Sequence, residues 1–430
     1  MKIKIATILT LVALICTGLI ACTQPAVSPV EAGVLKSDKP RITTPELSGG
    51  AIEDLVSDNS TFAMDLYQYL KTGDNNIFYS PYSISLALAM TYAGARGETE
   101  EEMADAMHFG LGQDRLHPAF NSLDMTLSSR GEGAEGKDDE GFRLNIVNAI
   151  WGQKDYEFLA DFLDTLAQNY GAGLRVLDFM EAPEESRIII NAWVSDETEG
   201  RIEDLIPQGM IDSLTRLVLT NAIYFNAAWM YPFSEGATSD GVFHLASGDE
   251  VRVPMMRQTE SFGYYEGENY RAVELPYDGG ELSMVILLPD SGKFSSFDSS
   301  LDFEKLYEII DGIGYQEVAL TMPEFEFESS FDLKKTLSEM GMPVAFSGDA
   351  DFSGMTGNRE LFIAEVVHKA FVSVDEAGTE AAAATAVVME LTAVPQEPVT
   401  IEIDRPFIFL IRDIETGTLL FVGRVMNPVS

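Results

Sequence analysis

A single α+β domain is the fold class the sequence predicts, and three observations predict it. Phe62-Ala-Met-Asp-Leu-Tyr-Gln-Tyr-Leu70 sets its apolar residues at helical spacing. Ser80 directly before Pro81 marks a helix start, because proline suits the first helical position and serine the cap. Ala370-Phe-Val-Ser-Val374 and Val399-Thr-Ile-Glu-Ile403 are β-branched strands on either side of a long run of small residues with no helical periodicity. The chain has 430 residues, room for two domains, yet no repeat or second domain is visible.

In chain order, Lys2 and Lys4 form a positive start to an apolar run from Ile5 to Ile20 that is short for a membrane span. Residues 1–21 are expected to be a signal peptide. Leu19-Ile-Ala-Cys22 is similar to a bacterial lipobox, which implies cleavage before Cys22 and lipid on its sulfur. An ordinary secretory signal cut nearby is the alternative. The protein is therefore expected outside the cytoplasm, held by two acyl chains, or else secreted. Cys16 and Cys22 are the only cysteines, so the processed domain has no disulfide and no thiol nucleophile beyond the anchor. Residues 22–50, rich in Pro, Ser, Thr, Gly and Val, are expected to be a flexible tether. The domain is assigned to residues 51–430, and Thr99 followed by Glu102 predicts a capping box near its start.

Charge excludes several partners. With 28 basic against 69 acidic residues, the net charge of −41 argues against nucleic acid and anionic surfaces. Gly131-Glu-Gly-Ala-Glu-Gly136 satisfies a dinucleotide-binding pattern, but no apolar strand leads into it and the surrounding acids would repel a pyrophosphate. It is read as a solvated loop. Catalysis by the chain is not expected, since neither G-x-S-x-G nor S-x-x-K occurs. His108, His117, His244 and His368 lack metal-ligand spacing, so neither metal nor other cofactor is expected.

The stretch from Asp375 to Pro406 is long for a loop in a compact domain, and such loops are usually functional. From Thr379, every second residue (Thr379, Ala381, Ala383, Thr385, Val387, Met389) is small or apolar. The alternate set, Glu380, Ala382, Ala384, Ala386, Val388 and Glu390, can face solvent. That is the period of a strand with one buried face, preceded by Gly378 as a permissive hinge. On composition alone an Ala-rich surface helix is the other reading.

Glu376-Ala-Gly-Thr-Glu-Ala-Ala-Ala-Ala-Thr385 resembles the hinge of the reactive-centre loop of inhibitory serpins. Asp404-Arg-Pro-Phe-Ile-Phe409 and Phe421-Val-Gly-Arg-Val-Met-Asn-Pro428 resemble the serpin C-terminal strands. Asn76-Ile-Phe-Tyr-Ser-Pro-Tyr-Ser83, Ile190-Asn-Ala-Trp193, Leu217-Val-Leu-Thr-Asn-Ala-Ile-Tyr-Phe225 and Leu282-Ser-Met-Val-Ile-Leu-Leu-Pro-Asp290 extend the likeness over roughly residues 52–430. The resemblance implies three β-sheets, about nine helices and an exposed reactive-centre loop at about 376–398. It also implies an irreversible suicide-substrate inhibitor of serine, or cysteine, endopeptidases, acting as a monomer through a covalent acyl complex. A serpin-fold binding or structural protein without inhibitory activity is the alternative.

Site residues follow from the same resemblance. The hinge would comprise Glu376, Gly378, Thr379, Glu380, Ala381, Ala382, Ala383, Ala384 and Thr385, with Thr379 near the surface until insertion. The scissile bond is placed about fourteen residues beyond Gly378, between Thr392 and Ala393, with Leu391 and Val394 as alternates. Small apolar residues there suit elastase-like or subtilisin-like proteases, and Leu391 would suit chymotrypsin-like ones. His368, which by itself is a hydrogen-bonded core histidine, would join Ser80, Ser83 and Asn221 in a network under the central sheet. Trp229, otherwise a core residue, would mark the top of the sheet opening. Some members bind polyanions near residues 130–143, but Arg130, Lys137 and Arg143 here lie among five acids, so no heparin-like partner is expected. Members often carry Lys where this chain has Glu324; facing Glu376, it would turn a salt bridge into a like-charge pair.

Overall fold

After a short first strand, the described chain turns helical, with apolar residues recurring every three or four positions in α1. The computed structural model describes residues 33–131, 143–379 and 397–429. Helix α1 (Ala51–Leu70) buries Leu55, Asn59, Phe62, Ala63, Leu66, Tyr67 and Leu70 along one stripe. Helix α2 (Pro81–Tyr92) starts where Ser80 and Pro81 predict, with the Ser80 hydroxyl accepting the Ser83 N–H at 3.2 Å. All twelve of its residues are buried, since it lies between two sheets.

Helix α3 (Gly97–Ala106) corrects the capping-box expectation. It begins at Gly97, which has φ +56°, two residues ahead of Thr99. The Thr99 hydroxyl accepts the Asp351 N–H at 2.8 Å, and Glu102 accepts the Val344 N–H at 2.9 Å. Both side chains serve tertiary contacts instead of the helix end. Helices α4 (Gln113–Ser128), α5 (Ala160–Tyr170) and α6 (Pro183–Glu197) complete the first half.

Among the described residues, the central sheet has seven strands. In chain order they are β1 (Gly33–Leu35), β3 (Arg143–Gln153), β4 (Leu174–Leu177), β5 (Leu217–Ala228), β11 (Phe325–Asp332), β12 (Glu365–Asp375) and β13 (Gly378–Thr379). Their spatial order is β1-β4-β3-β5-β13-β12-β11. Among the described residues nine further strands form a second sheet: β2 (Ile77–Tyr79), β6 (Ser239–His244), β7 (Glu250–Gly267), β8 (Tyr270–Pro276), β9 (Leu282–Pro289), β10 (Gly314–Pro323), β14 (Val399–Glu402), β15 (Phe407–Asp413) and β16 (Leu419–Val425), with β6 branching off β7. The 18-residue β7 pairs with β6 over 250–255, with β10 over 255–264 and with β8 over 263–267, which joins these strands into one continuous sheet.

Side-chain alternation decides what each face of the central sheet meets. Val218 and Ala222 of β5 and Val367 of β12 pack under α6 with Ile190 and Val194. Leu219 and Ile223, with Val366 and Ala370, point the other way into the main core. Helix α2 touches β3 and β5 there, and β16 of the other sheet. Ser80 and Ser83 are thereby held directly beneath the β5–β12 seam.

The segment expected to be a tether is docked in its described part. β1 pairs antiparallel with β4, covering an otherwise open sheet edge. Beyond it, Arg41 meets Asp124 at 2.6 Å and Asn121 at 2.7 Å, and the Ile42 N–H reaches the Gln168 carbonyl at 2.9 Å. Composition reads these residues as linker because their fixation comes from polar contacts to α4 and α5, which carry no periodic signal.

Candidate functional site

The central sheet is parted at one end by the chain that follows β12. Along its lower part, β12 runs parallel to β5 from Glu365↔Val218 to Ala370↔Ile223. Above that, β13 separates them: Val374 and Asp375 pair with Thr379 and Gly378, which pair in turn with Ala227 and Ala228. Gly378 and Thr379 of the hinge therefore already form a strand inside the sheet.

A short turn makes this possible. The Asp375 carboxylate accepts the N–H groups of Ala377 and Gly378 at 2.8 and 3.2 Å, an Asx-type turn that reverses the chain out of β12. The Phe233 N–H reaches the Glu376 carbonyl at 2.7 Å, and the Trp229 N–H the Ala377 carbonyl at 2.8 Å. Gly378 is required by space, because a Cβ there would collide with the Ala227 carbonyl oxygen and the Ala228 Cα.

Thr379 differs from expectation. It is 1% exposed, and its hydroxyl is hydrogen-bonded to the Tyr277 hydroxyl at 2.9 Å. The side chain is not near the surface in the intact chain, because β13 carries it between two strands. Trp229 sits at this opening as expected. It stacks on Tyr277 with centroids 4.7 Å apart and donates its indole N–H to the Asp375 carbonyl at 3.0 Å. Burial pushes the Tyr277 phenol far above its usual range, so it stays neutral.

Below the opening lies the polar network under the seam. His368 and Asn221, register partners on β12 and β5, are joined through His368 Nδ1 and Asn221 Oδ1. The Ser80 N–H donates to His368 Nε2 at 3.2 Å, so Nδ1 carries the ring proton. Burial lowers the imidazole pKa to about 3, keeping it neutral. Asn221 donates to the Ser83 hydroxyl at 2.7 Å and to Asn148 Oδ1 at 2.6 Å. The four expected residues are thus brought together, and Asn148 of β3 completes the group. Tyr277 and Asn148 were missed by sequence reasoning; an aromatic after Leu275-Pro276 and an asparagine opposite Asn221 across β3–β5 were the available signals.

Of the other expected site residues, Glu380 to Thr385, the reactive-bond candidates Leu391 to Val394, and Cys22 lie outside the described residues. Glu324 is half-buried, and burial first, then the neighbouring Glu376 carboxylate, push its carboxyl up from 4.5 to about 7.

A strand seated in a parted sheet, above a polar network on the same seam, decides what the sequence comparisons mean. The family pattern described as Serpin (serine protease inhibitor) matches residues 57–428. The chain belongs to the serpin family. It is 42% identical over 390 residues to the leukocyte elastase inhibitor of Bos taurus, covering 88% of this chain and all of that one. Among solved structures, the native state of the thermophilic serpin tengpin superposes with TM-score 0.82 at 29% identity, covering 93% of this chain and 100% of that one. Human thyroxine-binding globulin, solved with thyroxine, superposes with TM-score 0.79 at 31% identity, covering 88% of this chain and 100% of that one. The serpin fold, with mixed helices and sheets in a single domain, is the architecture described above.

Proposed function

We propose that this serpin is an irreversible suicide-substrate inhibitor of serine endopeptidases, with elastase-like, subtilisin-like or chymotrypsin-like targets. The observation that carries the reading is the position of Gly378 and Thr379 between β5 and β12, followed in sequence by small residues able to continue that strand. Its likeness to leukocyte elastase inhibitors supports the target class.

The mechanism follows from that geometry. The protease nucleophile attacks the carbonyl carbon of Thr392, forms an ester to it and releases the amine of Ala393. The freed segment then extends β13 down the seam, replacing the direct β5–β12 pairing with a new central strand. If some ten strand hydrogen bonds form at about 1 kcal/mol net each, insertion is driven by on the order of 10 kcal/mol. Burial of Val387 and Met389 adds roughly 1.5–3 kcal/mol each. The acylated protease is carried along, and distortion of its active site stalls deacylation.

The test is incubation with a panel of serine and cysteine proteases, followed by denaturing gels and fragment sequencing. A complex that survives denaturation, with the new N-terminus at about Ala393, is the expected result. Cleavage by every protease without any complex leaves the non-inhibitory binding or structural role.

The N-terminal segment supports a place outside the cytoplasm, anchored through lipid on Cys22. Cys22→Ser is expected to move the protein from the membrane fraction to the soluble one, or to leave its precursor unprocessed. Equal membrane retention of variant and wild type contradicts the anchor.

A further inference from the structure

Between α4 and α5 lies a cavity of about 260 Å³, lined by no residue of the hinge or of the seam network. That is the small end for a ligand site, so it suits a molecule of amino-acid size. Its walls follow from helical spacing. Asp161, Thr165 and Asn169 recur every four residues along one face of α5, and Asp114 and His117 stand one turn apart on α4. Arg96, the residue before α3, completes the lining with Gly354. A Cβ on residue 354 would lie 2.6 Å from the Arg96 guanidinium carbon, so a larger residue there would displace the guanidinium.

Two polar groups of this lining have no partner among the described residues. His117 is 6% exposed, and its Nε2 makes no hydrogen bond there. Its Nδ1 meets the Tyr170 hydroxyl at 2.7 Å. That hydroxyl is assigned as the donor, because the opposite tautomer would leave the phenol proton without an acceptor; Nε2 then carries the ring proton. Burial, and then Arg96, lower the imidazole to about 4, so at neutral pH it is an uncharged donor. Asn169 donates through Nδ2 to the Thr165 carbonyl at 3.1 Å, which fixes its amide and leaves Oδ1 as the unpaired acceptor. Buried polar groups are normally paired, so a donor and an acceptor left over in one cavity point to a ligand that carries both.

The exposed charges of the lining narrow the choice. Arg96, Asp114 and Asp161 are all exposed. Arg96 Nη1 is held by the Ala93 and Ala95 carbonyls at 3.1 and 2.6 Å, so backbone positions the cation and its other nitrogens stay available to a carboxylate. Two carboxylates against one guanidinium leave the site net negative, which favours an ammonium over a lone anion. We propose that this cavity binds a small zwitterion of the free amino acid class, its carboxylate on Arg96 and the His117 N–H, its ammonium among Asp114, Asp161 and the Asn169 amide oxygen. A carboxylate alone would face Asp114 and Asp161 unneutralised, and an amine alone would leave Arg96 and His117 unpaired. The bound molecule would brace α4 against α5, whether or not the chain inhibits a protease.

The experiment is isothermal titration calorimetry of the full chain at neutral pH with three probes. L-Lysine carries both groups, pentane-1,5-diamine lacks the carboxylate and hexanoate lacks the ammonium. L-Lysine is expected to bind saturably at one site per chain, and the other two more weakly by about tenfold or more, the loss of one charge-assisted contact. Arg96→Gln should weaken L-lysine by about tenfold or more without weakening the diamine. Asp161→Asn should weaken L-lysine and the diamine alike. Asp161 is exposed, so this variant carries the comparison should Arg96→Gln fail to fold. No saturable heat with L-lysine would leave the cavity to water and overturn the proposal. Affinity for the diamine or hexanoate equal to that for L-lysine overturns it too, as does unchanged L-lysine affinity in either folded variant.

Discussion

Thr379→Arg is expected to convert the protein from inhibitor to substrate and, in addition, to weaken the intact chain. Thr379 is 1% exposed, with its hydroxyl on Tyr277, so an arginine kept there would be a buried, unpaired cation. That costs several kcal/mol even after relaxation. Withdrawing Gly378 and Thr379 from between β5 and β12 is cheaper, at about 1 kcal/mol for each strand hydrogen bond lost. The hinge is therefore expected outside the sheet, with a loss of about 2–4 kcal/mol in denaturant unfolding. Cleavage near Thr392 should continue at a similar rate, since the scissile bond is untouched. Insertion would then have to begin by burying the guanidinium, and deacylation should win. The measurement is the number of inhibitor molecules consumed per protease inactivated, which should rise at least tenfold. Inhibition equal to wild type would contradict insertion through Thr379.

His368→Gln is expected to remove much of the acid sensitivity of the fold. Burial holds the imidazole near 3 in the folded chain, against 6.5 for the ordinary side chain. The unfolded chain thus takes up a proton below about pH 6.5 that the native seam refuses. This depressed value lowers native stability as pH falls from 6.5 towards 3, at about 1.4 kcal/mol per pH unit. Glutamine cannot titrate, so between about pH 6.5 and about pH 4.5 the variant should lose about 3 kcal/mol less than wild type. His117, lowered to about 4 by burial and then by Arg96, is common to both proteins and cancels. At pH 7 the variant should itself be less stable by about 1–3 kcal/mol, because Ser80 N–H or Asn221 Oδ1 loses its partner. Denaturant unfolding at the two pH values checks both statements.

Much of the site was legible because it consists of residue types whose chemistry is local or patterned. Ser80 before Pro81 announces a helix start, and the same serine supplies a backbone donor to His368. A histidine inside an apolar strand must find polar partners, and Ser80 and Asn221 are those partners. What stayed hidden was depth. Nothing in the hinge sequence says that two of its residues already lie between strands, because that depends on how far β5 and β12 are parted. Tyr277 was missed because its contact with Thr379 spans 102 residues and has no periodic signature. Glu324 near Glu376 could be anticipated as a repulsion; only the structure shows that burial, more than Glu376, is what pushes the Glu324 carboxyl up. Residues 33–42 were misjudged for the opposite reason, since their polar composition suggests freedom while Arg41 and Ile42 tie them to α4 and α5.

The central claim is that cleavage lets the segment beyond Thr379 enter the sheet. Thermal unfolding of the full chain before and after a protease cuts once within residues 389–395 tests it most directly. Insertion worth on the order of 10 kcal/mol predicts that the cleaved chain unfolds on the order of 20 °C above the intact one. A cleaved chain that unfolds at the same temperature as the intact one, or below it, would contradict the account.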